Sequence, residues 1–189
     1  MRPFFPFTAA ALLALAGCTV VPNQHAPARA TQPVSLVNSL SWTDAVSAKP
    51  DALRTAWPLR AASAPHTEQF PLAQVKRCDA AGACSWGVVK AQRTFSAACH
   101  VAGGVAVDVE LALDVERRHE MLQGAEKLVL AIPADVAALT AKRTVRKSLV
   151  LTYGKVERIE LDFGIGYNIC AQRLDAGGRP VDSCEIPYM

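Results

Sequence analysis

Six cysteines give this chain its widest chemical range: Cys18, Cys78, Cys84, Cys99, Cys170 and Cys184. A cysteine sulfur can bind a metal, attack a substrate or cross-link the chain. Structural zinc favours ligands in short-spaced pairs, and neither the gap from Cys78 to Cys84 nor that from Cys170 to Cys184 has the spacing. No C-x-x-C redox motif is present. Cys99 is followed at once by His100, but neighbours on a strand point to opposite faces, so the adjacency does not make a thiol–imidazole dyad. His66 or His119 could reach Cys99 only through the fold. Cys99 is therefore expected as an unpaired thiol, and as the nucleophile of a thiol enzyme or envelope hydrolase if there is one.

Charge supplies the second group of candidates. Asp108, Glu110, Asp114 and Glu116 alternate along one segment, and Lys142, Arg143, Arg146 and Lys147 crowd into another. Two such stripes on neighbouring strands neutralise each other. The alternatives are a Ca²⁺ site among the carboxylates, an anionic polymer on the basic cluster, or paired carboxylates for hydrolysis. GIGYN lacks the spacing of a phosphate loop, and no residue set calls for a cofactor.

Strands must carry these residues. In VAVDVELALDVE, Val105, Val107, Val109, Leu111, Leu113 and Val115 share one face and the acidic residues share the other, which specifies a half-buried strand. KVERIELDFGIGYNI repeats the pattern, with Ile159, Leu161, Phe163, Ile165, Tyr167 and Ile169 together and a bend expected at Gly164 and Gly166. Residues 86–95, 127–132 and 145–153 are further strand candidates, and PADVAALTAKR could form one or two helical turns. Strands joined by short connections predict a mainly β fold, an antiparallel β-sandwich or open barrel.

Two turns select the cysteine pairing. RCDAAGA and RLDAGGR share Arg-x-Asp-Ala-small-Gly, the signature of a three-residue hairpin loop closed by a left-handed glycine. Counting outward from Ala80-Ala81-Gly82 sets Cys78 opposite Cys84. Counting outward from Ala176-Gly177-Gly178 sets Leu174 opposite Pro180 and Cys170 opposite Cys184. Both cysteine pairs then fall on non-hydrogen-bonded sites, where side chains approach most closely. Disulfides Cys78–Cys84 and Cys170–Cys184 follow.

The chain opens with Arg2 and an apolar run from Phe4 to Ala16, the layout of a secretory signal. About thirteen residues of helix rise only ~20 Å, too little for a bilayer core of about 30 Å. The run ends Leu15-Ala16-Gly17-Cys18, which resembles the lipobox of bacterial lipoproteins at all four positions. The resemblance implies cleavage after residue 17, diacylation of the Cys18 sulfur and acylation of its new amino group. Several chains would hold the protein on a membrane, where one alone is marginal. Thr19 stands where an Asp would favour inner-membrane retention in such lipoproteins, so the implied address is the outer membrane, facing the periplasm.

Residues 18–40, rich in proline and without periodicity, are expected as a flexible tether, and 41–69 as an irregular lead-in with short helical pieces, one of them from Asp51 to Pro58. Residues 70–189 then form the β domain. Trp42 and Trp57 are expected to pack on it rather than bind a partner. Lys and Arg outnumber Asp and Glu by 20 to 17, far from the balance of a nucleic-acid binder. The functional expectation is an outer-membrane lipoprotein whose domain binds an envelope protein or polymer, or has a structural role, without catalysis. The alternatives are the thiol enzyme or hydrolase centred on Cys99 and a carrier of a small ligand or metal.

Overall fold

The computed structural model describes residues 32–59 and 65–186. Eleven strands are β1 (Val34–Thr43), β2 (Pro50–Leu59), β3 (His66–Gln69), β4 (Ala73–Cys78), β5 (Cys84–Val101), β6 (Gly104–Glu116), β7 (Arg118–Gln123), β8 (Glu126–Ala131), β9 (Ala141–Thr152), β10 (Glu157–Glu160) and β11 (Gly166–Arg173). One sheet runs β10-β11-β1-β2. The other runs β3-β5-β6-β9, with β4 also paired to the long β5. All these pairings are antiparallel. β7 and β8 form a separate hairpin.

The two sheets share one core. Val105, Val107, Val109, Leu111, Leu113 and Val115 are all buried in it, as alternation requires, and meet Val34, Leu36, Leu40 and Trp42 of β1 and Ile165, Tyr167 and Ile169 from the β11 side. The fold is thus the expected mainly β, antiparallel architecture, in the form of a sandwich.

The N-terminal side departs from expectation. Residues 34–40, read as tether, are most of β1, a central strand, and Asp51 to Pro58 is β2 rather than helix. VSLVNSLSWT alternates apolar residues with serines although both of its faces are buried. Val34, Leu36, Leu40 and Trp42 enter the core, while Ser35, Ser39 and Ser41 are buried on the far side. Small polar residues there find hydrogen bonds: Ser41 Oγ donates to the Gly166 carbonyl at 3.2 Å, and Asn168 Nδ2 donates to Ser39 Oγ at 3.2 Å.

Two loops also differ. PADVAALTAKR makes no helix; residues 137–139 instead run beside β5, where Trp86 donates to Ala137 and Leu139 donates to Trp86. They occupy the place beside β5 that β6 leaves free at its end. Gly87 permits this approach, since a Cβ there would stand 2.5 Å from Val115 Cγ1 and 2.8 Å from the Leu139 carbonyl oxygen. The bend expected at Gly164 and Gly166 is a complete hairpin turn between β10 and β11, which keeps Ile159 opposite Tyr167.

Candidate functional site

The two hairpin loops form as their sequences require. Asp79 N–H donates to the Ala83 carbonyl and Gly82 N–H to the Asp79 carbonyl, with Gly82 at φ 84°. Asp175, Arg179 and Gly178 repeat the arrangement, with Gly178 at φ 77°. In each loop the aspartate Oδ1 accepts two further backbone N–H groups. Cys78 sits opposite Cys84, and both disulfides, Cys78–Cys84 and Cys170–Cys184, are present. The second ladder ends sooner than the count implies: Leu174 bridges Pro180 and Val181 donates to Arg173, after which residues 182–186 leave strand geometry. Cys184 and Ile186 then lie against Val37 and Cys170 on the outer face of the first sheet.

Cys99 corrects an expectation. It is disulfide-bonded, and the described residues include no free cysteine. The expectation of an odd thiol removed Cys18 from the count in advance, on the strength of the lipobox, and Cys18 lies outside the described residues. Neither histidine named as a partner is placed as a general base for it. His66 stacks on Trp57 with ring centroids 5.0 Å apart, and His119 is buried in the β7–β8 hairpin.

The acidic and basic stripes meet on adjacent strands. Arg146 Nε lies 2.5 Å from Glu110 Oε2, and Lys142 Nζ lies 3.4 Å from Asp114 Oδ2. Asp108 and Ser148 are opposite each other, one register step away. Arg143 and Lys147 occupy the other face of β9, the one shared with Val145 and Leu149. Inward-facing charge on an edge strand discourages pairing with another chain. Arg143 also crosses to the other sheet's turn, with its Nε 2.8 Å from Asp162 Oδ2. Among the described residues no group of three or more His, Cys, Asp or Glu is placed to hold a metal.

Sequence reasoning missed a polar cluster between the sheets. Arg93 of β5 is fully buried, with its Nη2 2.7 Å from Glu68 Oε2 on β3. Thr55 Oγ1 on β2 bonds the same carboxylate oxygen at 3.0 Å and Asn38 Oδ1 at 3.2 Å. The guanidinium stacks over Phe95 at 4.1 Å, and Phe95 stacks on Trp57. Burial pushes the nearby Tyr167 phenol far above its usual range, against the opposing pull of the Arg93 charge. Alternation hid the cluster: Arg93 takes an inward position of β5 between Ala91 and Phe95, where an apolar residue is expected, and Glu68 lies in the four-residue β3. It ties the two sheets together through Arg93 Nη2, Glu68 and Thr55, while Arg93 Nε and Nη1 and the Tyr167 hydroxyl are buried without a hydrogen-bond partner among the described residues.

A second feature is open to solvent. A cleft of about 530 Å³ lies at one end of the sandwich, between the β1–β2 turn, the end of β4 and the turn before β11. Its walls include both non-glycine residues with positive φ among the described residues, Ala48 at 55° and Phe163 at 66°. Such backbone is costly and persists only where its surroundings hold it. Asp44 holds the first turn: its Oδ1 accepts from Val46 N–H, Ser47 N–H and Ser47 Oγ. The Ser47 backbone bond, ahead of the opposing desolvation, lowers the Asp44 pKa. Ala45 N–H donates to the Gln74 carbonyl at 3.1 Å and fastens the turn to β4, whose end the Cys78–Cys84 bond staples.

Compared with family models, with curated proteins and with solved structures, the chain matches none. Among the described residues no helix is long and apolar enough to cross a membrane.

Proposed function

We propose that this chain is an outer-membrane lipoprotein facing the periplasm, whose β-sandwich binds another envelope protein or polymer and does no catalysis. The observation that carries the reading is Leu15-Ala16-Gly17-Cys18 at the end of an apolar run too short to span a bilayer. Two hairpin disulfides agree with an oxidising compartment. The first strand among the described residues begins at Val34, so residues 34–40 belong to the domain and not to the tether.

Membrane fractionation and mass spectrometry of the mature N-terminus test the anchor. The native protein should fractionate with outer membranes and yield an acylated Cys18 peptide, whereas Cys18→Ser should be released in soluble form. Unchanged fractionation of the variant, or Cys18 recovered in a disulfide, sinks the assignment. Thr19→Asp should move the protein toward the inner membrane.

A further inference from the structure

We infer that the Cys78–Cys84 disulfide is a thiol-exchange site, opened and closed in the folded protein by a partner carrying a dithiol, while Cys170–Cys184 is a permanent staple. The inference goes beyond the reading above and does not rest on the lipid anchor.

Access separates the two bonds. Cys78 is exposed and Cys84 half-buried, whereas Cys170 is fully buried and Cys184 only 6% exposed. Cys78 and Cys84 form a row beside Lys76 and Trp86 on the outer face of the second sheet. The β7–β8 hairpin covers that face where Val88 packs with Leu72 and Ile132 against Met121 and Leu130, and where Gln74 Nε2 donates to the Ala131 carbonyl. Lys76 and Cys78 lie beyond this cover, and both are exposed. Cys184, in contrast, is sealed in with Val37 and Ile186. Exchange requires a thiolate to reach a sulfur, and exposed disulfides are the labile ones.

The turn around the exposed bond does not depend on it. Asp79 N–H donates to the Ala83 carbonyl and Gly82 N–H to the Asp79 carbonyl, while Asp79 Oδ1 accepts from the N–H groups of Ala81 and Ala83. These bonds keep Cys78 opposite Cys84 whether or not the sulfurs are joined. Opening is therefore local, and closing needs no search. Cys184 lies past the end of its ladder, so no ladder bond returns it to Cys170 once those sulfurs part. The Lys76 ammonium, 5.5 Å from the Trp86 ring centroid, adds positive charge to the face that carries the exposed pair. A cation nearby favours the thiolate that must leave.

In the exchange, one thiolate of the dithiol attacks the more exposed Cys78 sulfur, the S–S bond breaks, and Cys84 leaves as a thiolate that takes up a proton. The second thiolate of the partner then attacks the mixed disulfide and releases Cys78, which is protonated in turn. Two electrons and two protons pass from the dithiol to the cysteine pair, and the partner is left as a disulfide.

The test treats the native full chain in detergent with graded dithiothreitol, traps thiols with iodoacetamide and maps the labelled peptides, with far-UV circular dichroism recorded alongside. Cys78 and Cys84 should be labelled about tenfold or more faster than Cys170 and Cys184, with the native spectrum retained, and removing the reductant should restore the same bond. The variant Cys84→Ser, which cannot close the bond, should take up glutathione at Cys78 from glutathione disulfide. Equal labelling of the two pairs, earlier opening of Cys170–Cys184, no opening of Cys78–Cys84 short of denaturing urea, loss of the native spectrum as it opens, or no uptake of glutathione by the folded variant each overturns the inference.

Discussion

Glu68 Oε2 lies 2.7 Å from Arg93 Nη2 and 3.0 Å from Thr55 Oγ1, so one carboxylate joins the two sheets of the sandwich. Arg93 is fully buried and Glu68 is 30% exposed. The pair therefore holds a desolvated cation whose counter-ion still reaches water. Removing one partner of such a pair leaves a buried charge uncompensated, whereas replacing both with apolar groups restores a dry core.

That asymmetry predicts a double-mutant cycle. Glu68→Leu alone should cost about 3 kcal/mol of unfolding free energy, and Arg93→Met with Glu68→Leu should recover most of it. Urea unfolding of the single and double variants measures both. Additive losses would mean that the two side chains do not act on each other.

The hairpin disulfides should be recovered intact in peptides prepared without reduction, Cys78 joined to Cys84 and Cys170 joined to Cys184. Cys170→Ala with Cys184→Ala should cost about 3 kcal/mol by the loop-entropy estimate, and the shorter Cys78–Cys84 loop less. A peptide joining Cys84 to Cys99 refutes the pairing.

Acid should weaken the fold through Asp182 and Asp44. Asp182 is held below the usual carboxylate range chiefly by its hydrogen bond from Arg173, whose Nε is 2.6 Å away, and Asp44 chiefly by the Ser47 N–H. A folded pKa below the unfolded one means that the stabilisation is present above the unfolded value, about 3.9 for aspartate. It is lost as pH falls through the lower, folded value. Unfolding free energy measured from pH 6 downward should therefore drop below about pH 4. Asp182→Asn and Asp44→Asn should each flatten that drop while lowering stability at neutral pH. A profile unchanged by either variant removes these carboxylates from the acid response.

Gly87→Ala should destabilise by about 1–3 kcal/mol, because its methyl group meets Val115 and the Leu139 carbonyl at distances that require backbone movement. Gly82→Ala should cost through its left-handed φ alone, since no atom stands within 4 Å of a Cβ there. Thermal melts of the two variants separate steric crowding from backbone strain. Protection of Leu139 N–H from hydrogen exchange should fall in the first variant and not in the second.

How much of this was legible depended on how each element is buried. β6 stood out because it has one wet face and one dry face, so period two is printed directly in its residues. The hairpin loops stood out because a left-handed glycine and an Asx turn leave a local signature; that signature fixed the register of Cys78 and Cys84, whereas Cys184 reaches Cys170 from beyond the end of its ladder. β1 alternates too, Val34, Leu36, Leu40 and Trp42 against Ser35, Ser39 and Ser41, but it follows a proline-rich run without periodicity and was read as part of it; its serines and Asn38 are satisfied by neighbouring strands rather than by water. β2 was mistaken for a helix because its outward residues form no strict alternation and Pro58 looked like a stop. Cys99 is disulfide-bonded, which its spacing from the other cysteines could not show, because no local turn sets a partner opposite it.

Local sequence, then, determined the β class, the two hairpin staples, the long amphipathic β6 and the lipobox resemblance, since each depends on residues close together in the chain. Tertiary structure decided that Glu68, Arg93, Thr55 and Asn38 meet between the sheets, and that Asp44, Arg77 and Phe163 share one cleft. These residues come from separate strands and turns, and only sheet order and sandwich packing bring them within reach. Spacing along the chain carries the period of an element. It does not carry the distance between elements, which the shared core sets.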